Sequence, residues 1–384
     1  MPNRTAGFFA AALLVFTTQA AGQSKPRARD LGIPFEGTPA ALNAITDVTG
    51  VEVGLTTIIS GTSVRTGVTV VLPRGKASND PVFAGWFALN GNGEMTGTTW
   101  IEEAGFLDGP VFITNTHSVG VVHAAAIEWA VTRSAGRQPW SLPVVAETWD
   151  GGLNDINGFH VKPAHVFAAL EGAKAGPVAE GNTGGGTGMV CYEFKCGTGS
   201  ASRKVSEAAG GYTVGVLVQA NHGGRRLLRI AGAPVGAEIP RAAPAGGGPG
   251  GGGEPVRPSK SIIIVVATDA PLLPHQLKRL ARRASLGLAR TGSVSSDSSG
   301  DIFIAFSTAN AGAASAPETS TVSMVSSRRI TALFEATVQA TEEAIINALI
   351  AGEAMTGADG ETVPAIAHDR VREILRKYGR LAIN

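Results

Sequence analysis

Only two cysteines occur in 384 residues, too few for a disulfide-stapled scaffold. They are Cys191 and Cys196, separated by Tyr-Glu-Phe-Lys in a glycine-rich region. A local disulfide is permitted there, but no His or carboxylate nearby has the spacing a metal site would need. Excess charge of either sign is also lacking: 32 Lys and Arg against 31 Asp and Glu leave a net +1, which gives no footprint for nucleic acid or an anionic membrane. No apolar run reaches the roughly 20 residues required to cross a bilayer. The common catalytic signatures are missing too. There is no Gly-x-Ser-x-Gly elbow, no Ser-x-x-Lys pair, no His-Glu-x-x-His helix and no Gly-x-x-x-x-Gly-Lys phosphate loop. His117 and His123 are six apart and His160 and His165 five apart, so neither pair shares a helix face. Neither a cofactor nor a metal is expected.

What is present is a large apolar fraction, 43%, ample for a sizeable core. Arg4, the apolar run Phe8 to Phe16 and the following Thr-Thr-Gln-Ala-Ala-Gly have the three-part form of a secretory signal ending near residue 22, which predicts a periplasmic or secreted protein. Short apolar stretches bounded by Gly, Pro or Asn predict strands at 50–60, 67–72, 110–115, 142–148, 213–220, 261–269 and 301–307. Helical spacing predicts helices at 119–131, 163–174, 274–290, 324–352 and 371–378. Strands and helices without regular βαβ alternation favour an α+β arrangement of sheets covered by helices.

Residues 242–260 form a glycine- and proline-rich tract with too few apolar side chains to offset its ordering entropy. The run from Ser261 to Asp269 follows at once, apolar on both faces as a central strand should be. Its neighbours are expected to include strands from before the tract. Taken alone, the junction reads as an interdomain linker. It also reads as a cleavage site between Lys260 and Ser261 that would expose an amino-terminal serine, whose α-amine, with an ordinary pKa of about 7.7 to 8.0, can serve as the base for its own hydroxyl.

A set of strings in order decides between these readings: 43–54 (Asn-Ala-Ile-Thr-Asp-Val-Thr-Gly-Val-Glu-Val-Gly), 114–120 (Thr-Asn-Thr-His-Ser-Val-Gly), 147–156 (Glu-Thr-Trp-Asp-Gly-Gly-Leu-Asn-Asp-Ile), 181–189 (Gly-Asn-Thr-Gly-Gly-Gly-Thr-Gly-Met), 218–221 (Val-Gln-Ala-Asn), 261–271 and 299–308. Together they resemble the DmpA/BapA family of self-processing serine aminopeptidases, over essentially all of the chain after the signal. The resemblance implies a four-layer αββα sandwich like that of N-terminal nucleophile hydrolases. It would be cut by itself into an α chain (23–260) and a β chain (261–384) that remain one catalytic domain, with tetramers of such protomers. It also implies roles: Ser261 as nucleophile, Asn221 as the oxyanion amide, Ser299 and Asp301 as the hydroxyl and carboxylate beside the nucleophile, and Glu147 as the group that binds the substrate amine. Asn115 and Trp149 join the substrate pocket.

Two departures stand out. Trp149 occupies a position where some members carry Tyr, and an indole donates a hydrogen bond but cannot accept one. Lys260 precedes the nucleophile where a small or amide residue is expected in parts of the family, so cleavage there could be slow or assisted. The expected activity is release of N-terminal residues from short peptides, amides or esters bearing a free amine, with β-peptides, L-α-peptides and D-amides all open. Two alternatives remain at this point: a non-catalytic exported binding protein for small amines, and an acyltransferase of the ornithine acetyltransferase type, whose nucleophile would be Thr.

Overall fold

The computed structural model describes residues 25–133, 140–239, 261–315 and 318–382. The expected signal (1–22), the tract at 242–260 and Lys260 lie outside the described residues. In chain order the strands are β1 (Glu52–Ser60), β2 (Val64–Leu72), β3 (Val82–Gly91), β4 (Phe106–Leu107), β5 (Val111–Asn115), β6 (Val144–Thr148), β7 (Val190–Cys191), β8 (Phe194–Lys195), β9 (Thr198–Lys204), β10 (Thr213–Asn221), β11 (Ser261–Thr268), β12 (Gly300–Ser307), β13 (Met355–Thr356) and β14 (Thr362–Val363). The helices are α1 (Thr98–Ala104), α2 (Val119–Thr132), α3 (Pro163–Gly172), α4 (Val235–Glu238), α5 (Pro274–Arg290), α6 (Thr331–Ile350) and α7 (His368–Lys377).

Two sheets carry the fold, one in the order β1-β2-β5-β6 and one in the order β4-β3-β12-β11-β10-β9. The pattern of β11 explains its place. All eight of its residues are buried. Ile262, Ile264 and Val266 join the core under α5 and α6, while Ile263, Val265 and Ala267 join the core between the two sheets. A strand apolar on both faces can only be central. A third core lies between the four-stranded sheet and helices α2 and α3. The layers therefore run helix, sheet, sheet, helix, the expected αββα sandwich. Among the described residues no helix is long and apolar enough to cross a membrane.

The neighbours of β11 come from both sides of the 242–260 tract: β10 pairs with it antiparallel, Asn221 opposite Ser261, and β12 pairs with it parallel, Asp301 beside Ile262. Of the elements that depart from the sequence pattern, three show a physical reason. Strand β9, Thr-Gly-Ser-Ala-Ser-Arg-Lys, has almost no apolar residues yet is buried along six of its seven positions. Its polar side chains are satisfied inside the core, Ser200 Oγ donating to the Val216 carbonyl (2.7 Å) and Ser202 Oγ to Asp47 (2.7 Å), so no hydrophobic alternation announces it. Strand β3 likewise lacks a clean alternation. The helix expected from Met324 begins only at Thr331, after a short 3-10 turn at Ser327–Arg329 whose entry is capped by the Ser326 hydroxyl. Cys191 and Cys196 are bonded to each other across the β7–β8 hairpin.

Close packing of α6 on β9 depends on Gly199. A Cβ there would come within 2.1 Å of the Ala344 carbonyl oxygen and 2.7 Å of the Ala348 nitrogen, both main chain of α6. Gly199→Ala is therefore expected to destabilise the protein by about 1–3 kcal/mol, the usual cost of overpacking a filled core. Thermal or urea unfolding beside wild type measures it, and an unchanged midpoint would contradict this packing.

Candidate active site

The candidate site lies at one end of the six-stranded sheet, where β10 ends as β11 begins. Ser261 and Asn221 are directly opposed across the two strands, so their side chains stand on one face. Both are buried, 2% and 5% exposed. The Gly300 N–H donates to Ser261 Oγ (3.1 Å). Gly300 tolerates no side chain, since a Cβ would lie 2.4 Å from the Asn92 carbonyl oxygen, and this close approach brings the β3–α1 loop against the start of β12. On either side of Gly300, Ser299 Oγ donates to Asp301 Oδ1 (2.7 Å). The two residues thus bracket the N–H that holds the serine. Burial raises the Asp301 pKa, opposed chiefly by the Ser299 hydroxyl and then by the Ser295 hydroxyl and the Ile262 N–H.

Asn221 is fixed at both ends of its amide. Its Oδ1 accepts from the Val190 N–H (2.9 Å) and its Nδ2 donates to the Trp149 carbonyl (2.8 Å). An acceptor facing an N–H and a donor facing a carbonyl leave one orientation of the amide, with a second N–H still to use. Trp149 thus enters the site through its main chain. Its indole packs over Gly151, where a Cβ would meet the ring at 2.5 Å.

Glu147, at the end of β6, is 3% exposed. The Glu94 N–H donates to its Oε1 (2.9 Å) and the Thr116 hydroxyl to its Oε2. Burial raises its pKa, against the Thr116 hydroxyl and the Glu94 N–H, which favour the anion. Gly93 joins this carboxylate to the serine: a Cβ on Gly93 would stand 3.2 Å from both Glu147 Oε1 and the Gly300 Cα. Asn115, on neighbouring β5, turns another way and donates from Nδ2 to Thr66 Oγ1 (2.8 Å). The groups that sequence reasoning did not name are mostly main chain: the N–H groups of Gly300, Val190 and Glu94 and the carbonyl of Trp149. Thr116 is the exception, and it lies inside one of the strings that carried the resemblance. Among the described residues no group of three or more His, Cys, Asp or Glu could hold a metal ion.

A buried serine beside a fixed amide donor, with a serine–aspartate pair flanking it and a desolvated carboxylate across a glycine, is suited to acyl transfer from a substrate bearing a cation. Comparison with known proteins agrees. The profile of peptidase family S58 matches residues 43–363. The chain is 54% identical to the β-peptidyl aminopeptidase BapA of Sphingosinicella microcystinivorans, over 94% of this chain and 95% of that one. It is 50% identical to the enzyme of that name from Sphingosinicella xenopeptidilytica, over 95% and 94%. Among solved structures it is similar to the L-aminopeptidase D-Ala-esterase/amidase of Ochrobactrum anthropi, a variant of the N-terminal nucleophile hydrolase fold (TM-score 0.86, 50% identity, 93% of this chain and 100% of that one). A β-aminopeptidase of Burkholderia sp. superposes with a TM-score of 0.85 at 50% identity, over 92% and 99%.

Proposed function

Since the chain belongs to peptidase family S58 and is an aminopeptidase of N-terminal nucleophile hydrolase fold, we propose that it releases N-terminal residues from short peptides, amides or esters through an acyl-enzyme on Ser261, with β-peptides as the first class to try. The β-peptide preference draws on the names of its relatives. The observation that carries the mechanism is the opposition of Ser261 and Asn221 at the strand ends. A binding protein without catalysis and an acetyltransferase give way to this reading.

The steps follow from the groups present. After a cut between Lys260 and Ser261, the new α-amine takes the Ser261 Oγ proton as the oxygen attacks the substrate carbonyl. The developing oxyanion accepts from the second Asn221 N–H. The carbon–nitrogen bond breaks, the proton passes to the leaving amine, and an ester to Ser261 remains. Water then attacks this ester, giving its proton back through the amine, and the acid leaves with Ser261 restored. The Ser299–Asp301 pair holds the start of β12 in register around the Gly300 N–H. Export, self-cleavage and assembly into tetramers belong to the same proposal; the signal-like residues 1–22 support the first.

Glu147 gives the reading its test. A buried carboxylate with a raised pKa is costly to leave unpaired and gains when a substrate ammonium arrives. The wild-type enzyme should cleave an aminoacyl p-nitroanilide and fail on the N-acetylated form, whereas Glu147→Gln should be poor on the free amine and discriminate far less. Equal cleavage of both by wild type would make the protein a general amidase instead.

A further inference from the structure

The Trp149 carbonyl takes one of the two Asn221 N–H groups, so the direction of that carbonyl decides where the other one points. The carbonyl belongs to the rigid peptide that joins Trp149 to Asp150. Asp150 is held from several directions at once. It is 1% exposed, and its main-chain oxygen accepts from the Leu153 and Asn154 N–H groups (both 3.0 Å). Its Oδ1 accepts from Asn154 Nδ2 (3.1 Å), and Asn154 Oδ1 in turn accepts from the Arg65 N–H (2.9 Å) on β2. Behind it Gly188 leaves no room, since a Cβ there would come within 2.9 Å of the Asp150 Cβ. Asp150 Oδ2 is buried without a hydrogen bond, although the Thr66 hydroxyl and the Asn115 amide stand beside the carboxyl. Thr66 Oγ1 already accepts from Asn115, which leaves its own proton to turn toward the carboxylate.

We infer that Asp150 is a positioning residue: its buried carboxylate ties the Trp149–Asp150 peptide to β2 and thereby aims the free Asn221 N–H at the oxyanion. The inference rests on the role proposed for Asn221. Burial pushes the Asp150 carboxyl up to about 6, with Thr66, Asn154 and Asn115 opposing. None of these leading influences is charged. The charged side chains on adjoining segments are engaged elsewhere. Arg65 bonds the carbonyls of Gly61, Val64 and Thr356, Glu147 bonds Thr116 and the Glu94 N–H, and Asp155 pairs with His160. The anion that anchors the turn is therefore present above about pH 6 and lost as the pH falls through that value.

Asp150→Asn is nearly isosteric, keeps an acceptor for Asn154 and carries no charge at any pH. Its kcat at pH 8 should fall on the order of tenfold with KM little changed, less than the full loss of an oxyanion donor. The gap to wild type should close by pH 5, where the wild-type side chain is neutral too. A fold-change that stays constant with pH would indicate a structural defect alone and overturn the inference. Asn154→Ala removes a donor that favours the carboxylate, so the pH at which the anchored activity is lost should move upward. If Asp150→Asn does not fold, this shift decides, and an unmoved midpoint overturns the inference. Asn221→Ala separates the two readings. Wild-type turnover in that variant would sink the oxyanion role itself. An impaired Asn221→Ala beside an Asp150→Asn enzyme with wild-type kcat and pH profile would remove Asp150 alone.

Discussion

Ser261→Ala is expected to run as one uncut polypeptide and to lose hydrolysis by a factor on the order of 10⁶ in kcat, the scale seen when a nucleophile is removed from a serine hydrolase. Both losses follow from one oxygen. In maturation the hydroxyl would attack the Lys260 carbonyl in an N-to-O acyl shift, and in turnover it would attack the substrate carbonyl. Intact mass and N-terminal sequencing read the first loss and a chromogenic substrate the second. A Ser261→Ala chain that still splits before residue 261 would mean that another protease makes the cut.

Asn221→Ala should follow closely. Removal of a single oxyanion donor costs about 10²–10³ in kcat, and the same amide would serve both the cut and the turnover. Maturation and hydrolysis should therefore decline together, with KM little affected. The fixed amide, held by the Val190 N–H and the Trp149 carbonyl, makes the comparison clean because wild type offers the N–H in one orientation only. A variant that matures at the normal rate and turns over at the normal kcat would take Asn221 out of the mechanism.

Much of this architecture is legible in the amino-acid sequence. The run from Ser261 to Thr268 has no polar face, so it had to be central, and its expected partnership with strands from before the tract appears as the β10–β11 pairing. Helix α5 shows its buried stripe at Leu277, Leu280, Ala281, Ala284 and Leu288, and its bounds follow from that spacing. The elements that escaped did so for a physical reason. Strand β9 buries hydroxyls and a guanidinium whose partners include groups far along the chain, as when Arg203 pairs with Glu343 of α6 (2.7 Å), and no local period encodes such a contact. The same holds at the candidate site. Ser261, Asn221 and Glu147 could be named from strings, but the N–H of Gly300 and the carbonyl of Trp149 act through the main chain, where every residue type looks alike. The register of β12 against β11 gives the first its place, and the turn after β6 gives the second its own.

That register bears on the order in which the protein must be made. The strands after the tract, β11 and β12, are inserted between β3 and β10, both from before it. The six-stranded sheet belongs wholly to neither segment. A break ahead of Ser261 would leave a two-strand tongue clasped by hydrogen-bond ladders on both of its edges, so the halves would part only by unzipping both ladders and emptying two cores. The reverse journey is harder, because the segment lacking the tongue would present β3 and β10 as two open edges free to pair with the wrong partner. Were the chain cut there, covalent continuity would matter more to assembly than to the finished molecule: an intact thread favours closing the clasp, and the closed clasp would hold without it.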